Sequence, residues 1–207
     1  TRLRASAKGR LTLGFGVGGR PDADKAAPAQ DSNRGRRFED QIATMKRIWA
    51  GEDVDPENGV GPIGPPPVQK GGPEILIGGG TPQAIARAGR LADGFLAAGT
   101  QPEAVESSYQ MAVDAWKAAG KPGKPRLAAV ASYALGPNAA DVVGGYIRHY
   151  YSFLGPVAEQ MAENAVSSTE AVKGMIRDLE GIGMDELVFL PTAAEMGQLD
   201  RLADIVG

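Results

Sequence analysis

The chain has 207 residues, a net charge of −3 and a pI near 5.3. That length allows one domain with a real core, but it is at the low end for an eight-fold βα barrel, which usually takes about 250 residues. The acidic balance argues against a nucleic-acid partner, the absence of cysteine removes disulfides and thiolate chemistry, and no apolar run is long enough to span a membrane.

Charge is uneven along the chain. Residues 1–50 carry eleven Lys/Arg and five Asp/Glu, which reads as a solvated surface or as a basic rim for an anionic cofactor. The 29 glycines and 15 prolines sit at the edges of apolar runs, where turns belong. No leader peptide is visible and a cytoplasmic protein is the default. The chain starts at Thr1 rather than Met, so a native N-terminal extension is expected.

In chain order, residues 11–18 read as a buried strand running into glycines. Residues 34–50 read as a helix, with Phe38, Ile42, Met45, Ile48 and Trp49 on one apolar face and Gly51 as its stop. Residues 74–80 form a second glycine-ended strand; Thr81 is a fair N-cap and Pro82 suits the first position of the helix that follows. A third strand at 94–99 precedes a helix at 102–119, and a fourth at 126–136 precedes a helical insertion, about 137–165, broken at Gly155-Pro156. A helix at 169–180 enters through Ser167-Ser168, a fifth strand at 186–190 closes at Pro191, and a last helix covers 196–206. Two long stretches, 20–35 and 53–73, remain irregular, and loops of that length are usually functional or mobile. The first is taken as a lid over a ligand.

Strand and helix thus alternate five times, which implies an α/β protein with a parallel sheet. A doubly wound open sheet and a barrel both fit. In either, ligands gather at the carboxyl ends of the strands, where Gly16, Gly18, Gly80 and Gly99 fall.

The string Gly14-Phe15-Gly16-Val17-Gly18-Gly19 matches G-x-G-x-x-G, but no helix opens directly after it, as a dinucleotide fingerprint requires. Gly78-Gly79-Gly80-Thr81-Pro82 is the better anion site: glycines let backbone approach a ligand, and a helix N-terminus behind them favours a phosphate. The competing explanation is a tight turn. Gly99-Thr100 at the next strand end can add a backbone N–H and a hydroxyl. The lone His149 reads as a surface residue, and no metal-ligand pattern is present. Glu39-Asp40 and Asp185-Glu186 are sequence neighbours whose side chains diverge, so they make poor catalytic pairs. The residues themselves yield an anion-binding βα fold and no catalytic constellation.

Four segments together resemble the luciferase-like monooxygenase family of flavin-dependent oxidoreductases. They are Gly9-Arg10-Leu11-Thr12-Leu13-Gly14-Phe15-Gly16-Val17-Gly18; Arg37-Phe38-Glu39-Asp40 through Ile48-Trp49-Ala50-Gly51; Pro73-Glu74-Ile75-Leu76-Ile77-Gly78-Gly79-Gly80; and Ala88-Gly89-Arg90-Leu91-Ala92-Asp93-Gly94-Phe95. They resemble the family's fourth to sixth barrel strands with their helices. The resemblance implies a single domain, 1–207, of the (β/α)8 TIM-barrel type lacking its first three strands, with 137–165 as a helical insertion over the active site. It implies FMN or the deazaflavin F420 as cofactor, a small organic substrate and a homodimer; charge, hydropathy and ligand patterns add the expectation of no nucleic acid, membrane or metal. The cofactor phosphate would be held by Gly78, Gly79 and Gly80 with Ala98, Gly99 and Thr100. Gly16, Val17 and Gly18 would lie near the ring or side chain. Catalytic residues stay unassigned, because the family draws them from the three absent strands. Some F420-dependent sugar-phosphate dehydrogenases of the family carry an acid just after the fourth strand. Gly19-Arg20 stands there instead, which favours a monooxygenase or a general reductase. In such enzymes the cofactor carries the redox chemistry and the protein supplies binding, orientation and water exclusion. The alternatives are a non-catalytic flavin-binding protein and a phosphosubstrate isomerase or aldolase.

Overall fold

Apolar strands flanked by glycine and helices with one apolar face settle into alternating β and α elements in the computed structural model, which describes residues 8–20, 33–97, 99 and 101–207. The elements are β1 (Thr12–Phe15), α1 (Arg34–Ala50), β2 (Glu74–Gly78), α2 (Pro82–Leu91), β3 (Gly94–Ala97), α3 (Pro102–Ala118), β4 (Arg126–Tyr133), α4 (Ala139–Tyr150), α5 (Pro156–Glu163), α6 (Thr169–Gly181), β5 (Glu186–Pro191) and α7 (Gly197–Val206). The chain therefore has an α/β fold with parallel strands. No helix among the described residues is long and apolar enough to cross a membrane. The segment 21–32, which holds most of the expected lid, lies outside the described residues.

The described residues form two compact units. The first comprises residues 8–19, 33–96 and 110–126. In it β1, β2 and β3 run parallel, with Leu13 opposite Ile75 and Ile77 opposite Phe95. Ile75, Ile77 and Phe95 are fully buried, as expected for a parallel strand covered on both faces. Phe38 and Ile42 of α1 and Ile85 and Ala88 of α2 complete this core. The helix ends obey local rules. Gly51 stops α1 at φ +80°, with its N–H donated to the carbonyls of Arg47 and Ile48. Thr81 caps α2, its Oγ1 accepting from the Ala84 N–H at 3.2 Å.

The second unit comprises Arg20, 97, 99, 101–109 and 127–207. Here β4 and β5 pair in parallel, Ala129 opposite Leu187 and Ala131 opposite Phe189. Tyr133 is fully buried, meets Phe189 edge to face at 5.8 Å and joins Leu135, Val166 and Val172 in one cluster. The expected insertion is two helices, α4 and α5, that turn at Gly155-Pro156 and pack through Val143, Ile147 and Ala162. Gln198, 3% exposed, closes the end of β4: its amide accepts from the Leu135 N–H at 2.8 Å and donates to the Leu135 carbonyl at 3.0 Å. The Tyr133 hydroxyl donates to the Gln198 carbonyl at 3.0 Å.

Each unit contains the same device at the amino end of a strand. Asp93, just before β3, accepts the Ile75 N–H on Oδ2 at 2.8 Å and donates its own N–H to the Ile75 carbonyl at 2.8 Å. Asp185, just before β5, accepts the Leu127 N–H on Oδ2 at 2.8 Å and donates its N–H to the Leu127 carbonyl at 2.9 Å. Each carboxylate thereby does the work of a missing ladder bond for the first residues of the neighbouring strand.

Candidate functional site

In the first unit the carboxyl ends of β1 and β2 are bare backbone. A Cβ built on Gly16 would meet nothing closer than the Gly78 carbonyl oxygen, at 3.9 Å, so Gly16 and Gly78 lie side by side with no side chain between them. Gly18 adopts φ +81° and a Cβ there would meet nothing within 4 Å. Beyond Gly80 begins α2, whose first-turn amides have no partner inside the helix and carry its partial positive charge. Pro82 occupies the first position, where its missing N–H costs nothing. Of the expected residues at these two strand ends, Gly16 and Gly78 are thus brought together, and Val17, Gly18, Gly79 and Gly80 follow them in the chain. Gly79 has a second reason to be glycine. It sits at φ +155°, and a Cβ would come within 2.5 Å of the Ala84 Cβ in the first turn of α2. Of the other expected residues, Gly99 is exposed at φ +99°, while Ala98 and Thr100 lie outside the described residues.

The second unit holds a cavity of about 330 Å³ at the carboxyl half of β4. From β4 it is lined by Val130, Ala131 and Ser132, and Gly99 and Gln101 line it as well. Helices α4 and α5 and the turn after them supply the rest, from Ile147 and Tyr151 to Gln160, Met161 and Asn164. Asn164 donates through Nδ2 to the Gln160 carbonyl at 2.8 Å, which leaves its Oδ1 as an acceptor. Burial holds the Tyr151 hydroxyl above its ordinary value, with Tyr150 and Tyr146 adding to the shift, so it stays a protonated donor at neutral pH. Sequence reasoning missed Gln101, Ser132, Tyr151, Gln160 and Asn164. They are neutral residues scattered over a strand and helices and carry no motif; the placement of the insertion after the fourth strand was the one available signal.

Arg20, the residue after the β1 glycines, docks on α4. Its Nη1 donates to the Tyr150 carbonyl at 2.7 Å, and its guanidinium lies 4.7 Å from the Tyr150 ring centre and 5.0 Å from that of Phe153. Tyr150 in turn stacks on Tyr146 at 5.6 Å.

Several other titratable residues form ion pairs. Glu39 pairs with Arg87 at 2.8 Å and with Arg90 at 3.2 Å. The hydrogen bond from Arg87 holds the Glu39 carboxyl below its ordinary value. Glu74 and Arg126 form another pair. His149 is exposed on α4. No group of three His, Asp or Glu side chains suited to a metal ion exists among the described residues.

Among solved structures, an F420-dependent secondary alcohol dehydrogenase in complex with an F420-acetone adduct superposes with a TM-score of 0.71 at 13% identity, over 99% of this chain and 71% of that one. The monooxygenase RslO1 from Streptomyces bottropensis gives 0.66 at 21% identity, over 99% and 69%. The coenzyme F420 dependent tetrahydromethanopterin reductase from Methanopyrus kandleri gives 0.67 at 17% identity, over 96% and 72%. These likenesses show a shared fold. No curated protein matches the sequence. The family model described as luciferase-like monooxygenase matches residues 2–189. With nine-tenths of its length inside that match, the chain belongs to the luciferase-like monooxygenase family.

Proposed function

We propose that the chain is a flavin-type oxidoreductase on a (β/α)8-barrel framework, with FMN or F420 as cofactor and a small organic molecule as substrate. The observation that carries this reading is the backbone of Gly16 lying against that of Gly78, where β1 and β2 end and α2 begins. It fits such a cofactor because a Cβ at Gly16 would meet only the Gly78 carbonyl oxygen, at 3.9 Å, so no side chain keeps a flat or phosphate-bearing group from approaching the backbone there. Gly78, Gly79 and Gly80 would hold the phosphate, and Gly16, Val17 and Gly18 the ring or side chain. The family resemblance gives Ala98, Gly99 and Thr100 a phosphate-holding role as well. When bound, the cofactor supplies hydride transfer to the substrate or activation of O2. The protein's part is binding, orientation and exclusion of water, with the 137–165 insertion as cover. Monooxygenase chemistry, reductase chemistry and pairing as a homodimer belong to the same proposal. The chain's own family and the fold it shares with solved neighbours, two of them F420-dependent by description, support it.

The test is Gly16→Val. Gly79 is unsuitable, because its Cβ strikes α2 and would disturb the fold itself. Gly16 has neither a left-handed backbone nor a crowded Cβ, so valine there should leave circular dichroism and melting unchanged. Titration followed by flavin or deazaflavin absorbance should show saturable binding to the parent chain and a loss of about tenfold or more in the variant, ~1.4 kcal/mol. If the parent takes neither FMN nor F420, or the variant binds as well as the parent, the reading is wrong.

A further inference from the structure

The cavity of the second unit has a chemistry of its own. At about 330 Å³ it lies at the small end of ligand pockets, which run ~300–1,000 Å³. None of the side chains lining it is charged. Its lining includes the apolar Val130, Ile147, Met161 and Val166. It also includes the polar, uncharged Gln101, Ser132, Tyr151, Gln160 and Asn164. Amides and hydroxyls both donate and accept, so they can recognise a neutral polar group in either sense. Within the described residues, no hydrogen bond occupies the side chains of Gln101, Ser132 or Gln160, nor the Tyr151 hydroxyl. A carboxylate or phosphate placed here would be partly desolvated without a cation to offset that cost.

We propose that this cavity is the substrate site and that it takes a small uncharged organic molecule, with a hydroxyl, carbonyl or amide group held by the Gln101, Ser132, Tyr151, Gln160 and Asn164 side chains. This rests on the oxidoreductase reading and narrows it. The hydrocarbon part of the ligand packs on Ile147 and Met161. The protonated Tyr151 hydroxyl donates to a ligand oxygen, and the Asn164 Oδ1 accepts from a ligand hydroxyl or amide. Selection among ligands is then by charge: an ionised compound of the same shape is rejected for want of a counter-charge.

The full chain, labelled with nitrogen-15, is titrated with benzamide, with cyclohexanol, with benzoate as the ionised counterpart of benzamide, and with inorganic phosphate. Side-chain amide resonances of Gln101, Gln160 and Asn164 report the site. Benzamide or cyclohexanol should shift all three saturably. Benzoate should bind weaker than benzamide by about tenfold or more, and phosphate, whose proposed contact is Gly99 beside Gln101, should leave the Gln160 and Asn164 signals unmoved. Gln160→Leu, on an exposed helix position, should weaken the neutral ligand severalfold at unchanged melting temperature. Equal binding of benzoate and benzamide, or no saturable shift with either neutral probe, overturns the inference. So do shifts of the Gln160 and Asn164 amides by phosphate, which would make the whole cavity part of the cofactor site. Loss of neutral-ligand binding alongside intact flavin binding overturns this inference alone. Lost flavin binding with the amide shifts retained overturns the oxidoreductase reading, and with it the substrate role, while the cavity's preference for a neutral ligand stands.

Discussion

Replacing Asp93 or Asp185 with alanine tests whether the carboxylate before each strand is a structural clamp. In Asp93→Ala the Ile75 N–H loses its acceptor at 2.8 Å, and in Asp185→Ala the Leu127 N–H loses one at the same distance. Both donors belong to fully buried residues, whereas both aspartates are themselves exposed. A hydrogen bond to a charged group contributes ~1.5–3 kcal/mol, and water reaching the exposed carboxylate places each clamp at the lower end, about 1.5 kcal/mol. For a chain of this size that is a drop in melting temperature of roughly 3–6 °C. Urea unfolding followed by far-ultraviolet circular dichroism measures it directly. Asparagine keeps an acceptor oxygen in place, so Asp93→Asn should recover about half of the loss, because a neutral bond is roughly half as strong as a charge-assisted one. Alanine variants within about 0.5 kcal/mol of the parent would refute the clamp, that being the ordinary range for surface substitutions. Asparagine variants as unstable as alanine would refute the role of the acceptor.

Gly94→Ala should be severe. Its Cβ would lie 2.5 Å from the Arg126 carbonyl oxygen and 2.5 Å from Leu76 Cδ2, and the backbone oxygen cannot swing away; a loss of about 3 kcal/mol or more is expected in the same urea assay, and a neutral result would show that β3 can shift freely. Glu39→Gln should flatten the acid limb of the stability curve. Pairing with Arg87 lowers the Glu39 carboxyl in the folded chain, so its stabilisation is complete above the ordinary value of 4.5 and fades as pH falls through the lower folded value. Melting temperatures taken from neutral pH down to that acid range should therefore converge for parent and variant, and a constant gap would refute the linkage.

Elements were legible wherever local chemistry sets their limits. The α1 helix runs over Arg34–Ala50 as its apolar spacing and Gly51 predict, and Thr81-Pro82 place the start of α2 to the residue. The break at Gly155-Pro156 divides the insertion as expected. Strand ends were less legible: residues 16–18 and 79–80 read as strand but are irregular, because unbranched glycines leave strand pairing without side chains to extend it. The clamps were invisible. Asp93 and Ile75 are 18 residues apart, and Asp185 and Leu127 are 58 apart. Asp185 reads in sequence only as half of an acidic pair. Gln198 likewise has no pattern that announces its two bonds to Leu135, 63 residues away.

The clamps and the glycines divide labour along each strand. In the first unit Asp93 ties the amino end of β2, while Gly16 and Gly78 keep the carboxyl ends of β1 and β2 bare. In the second, Asp185 ties the amino end of β4, while the cavity opens at Val130 and Ser132 in its carboxyl half. Acidic side chains are thus spent on backbone amides at one end, and the proposed ligand contacts at the other end are made by backbone and neutral groups. That division matches the usual separation of stability and activity in barrels. It also explains why a search for catalytic carboxylates or histidines in this sequence finds none: the proposed redox chemistry would reside in a cofactor, and what the chain must provide is space, orientation and dryness.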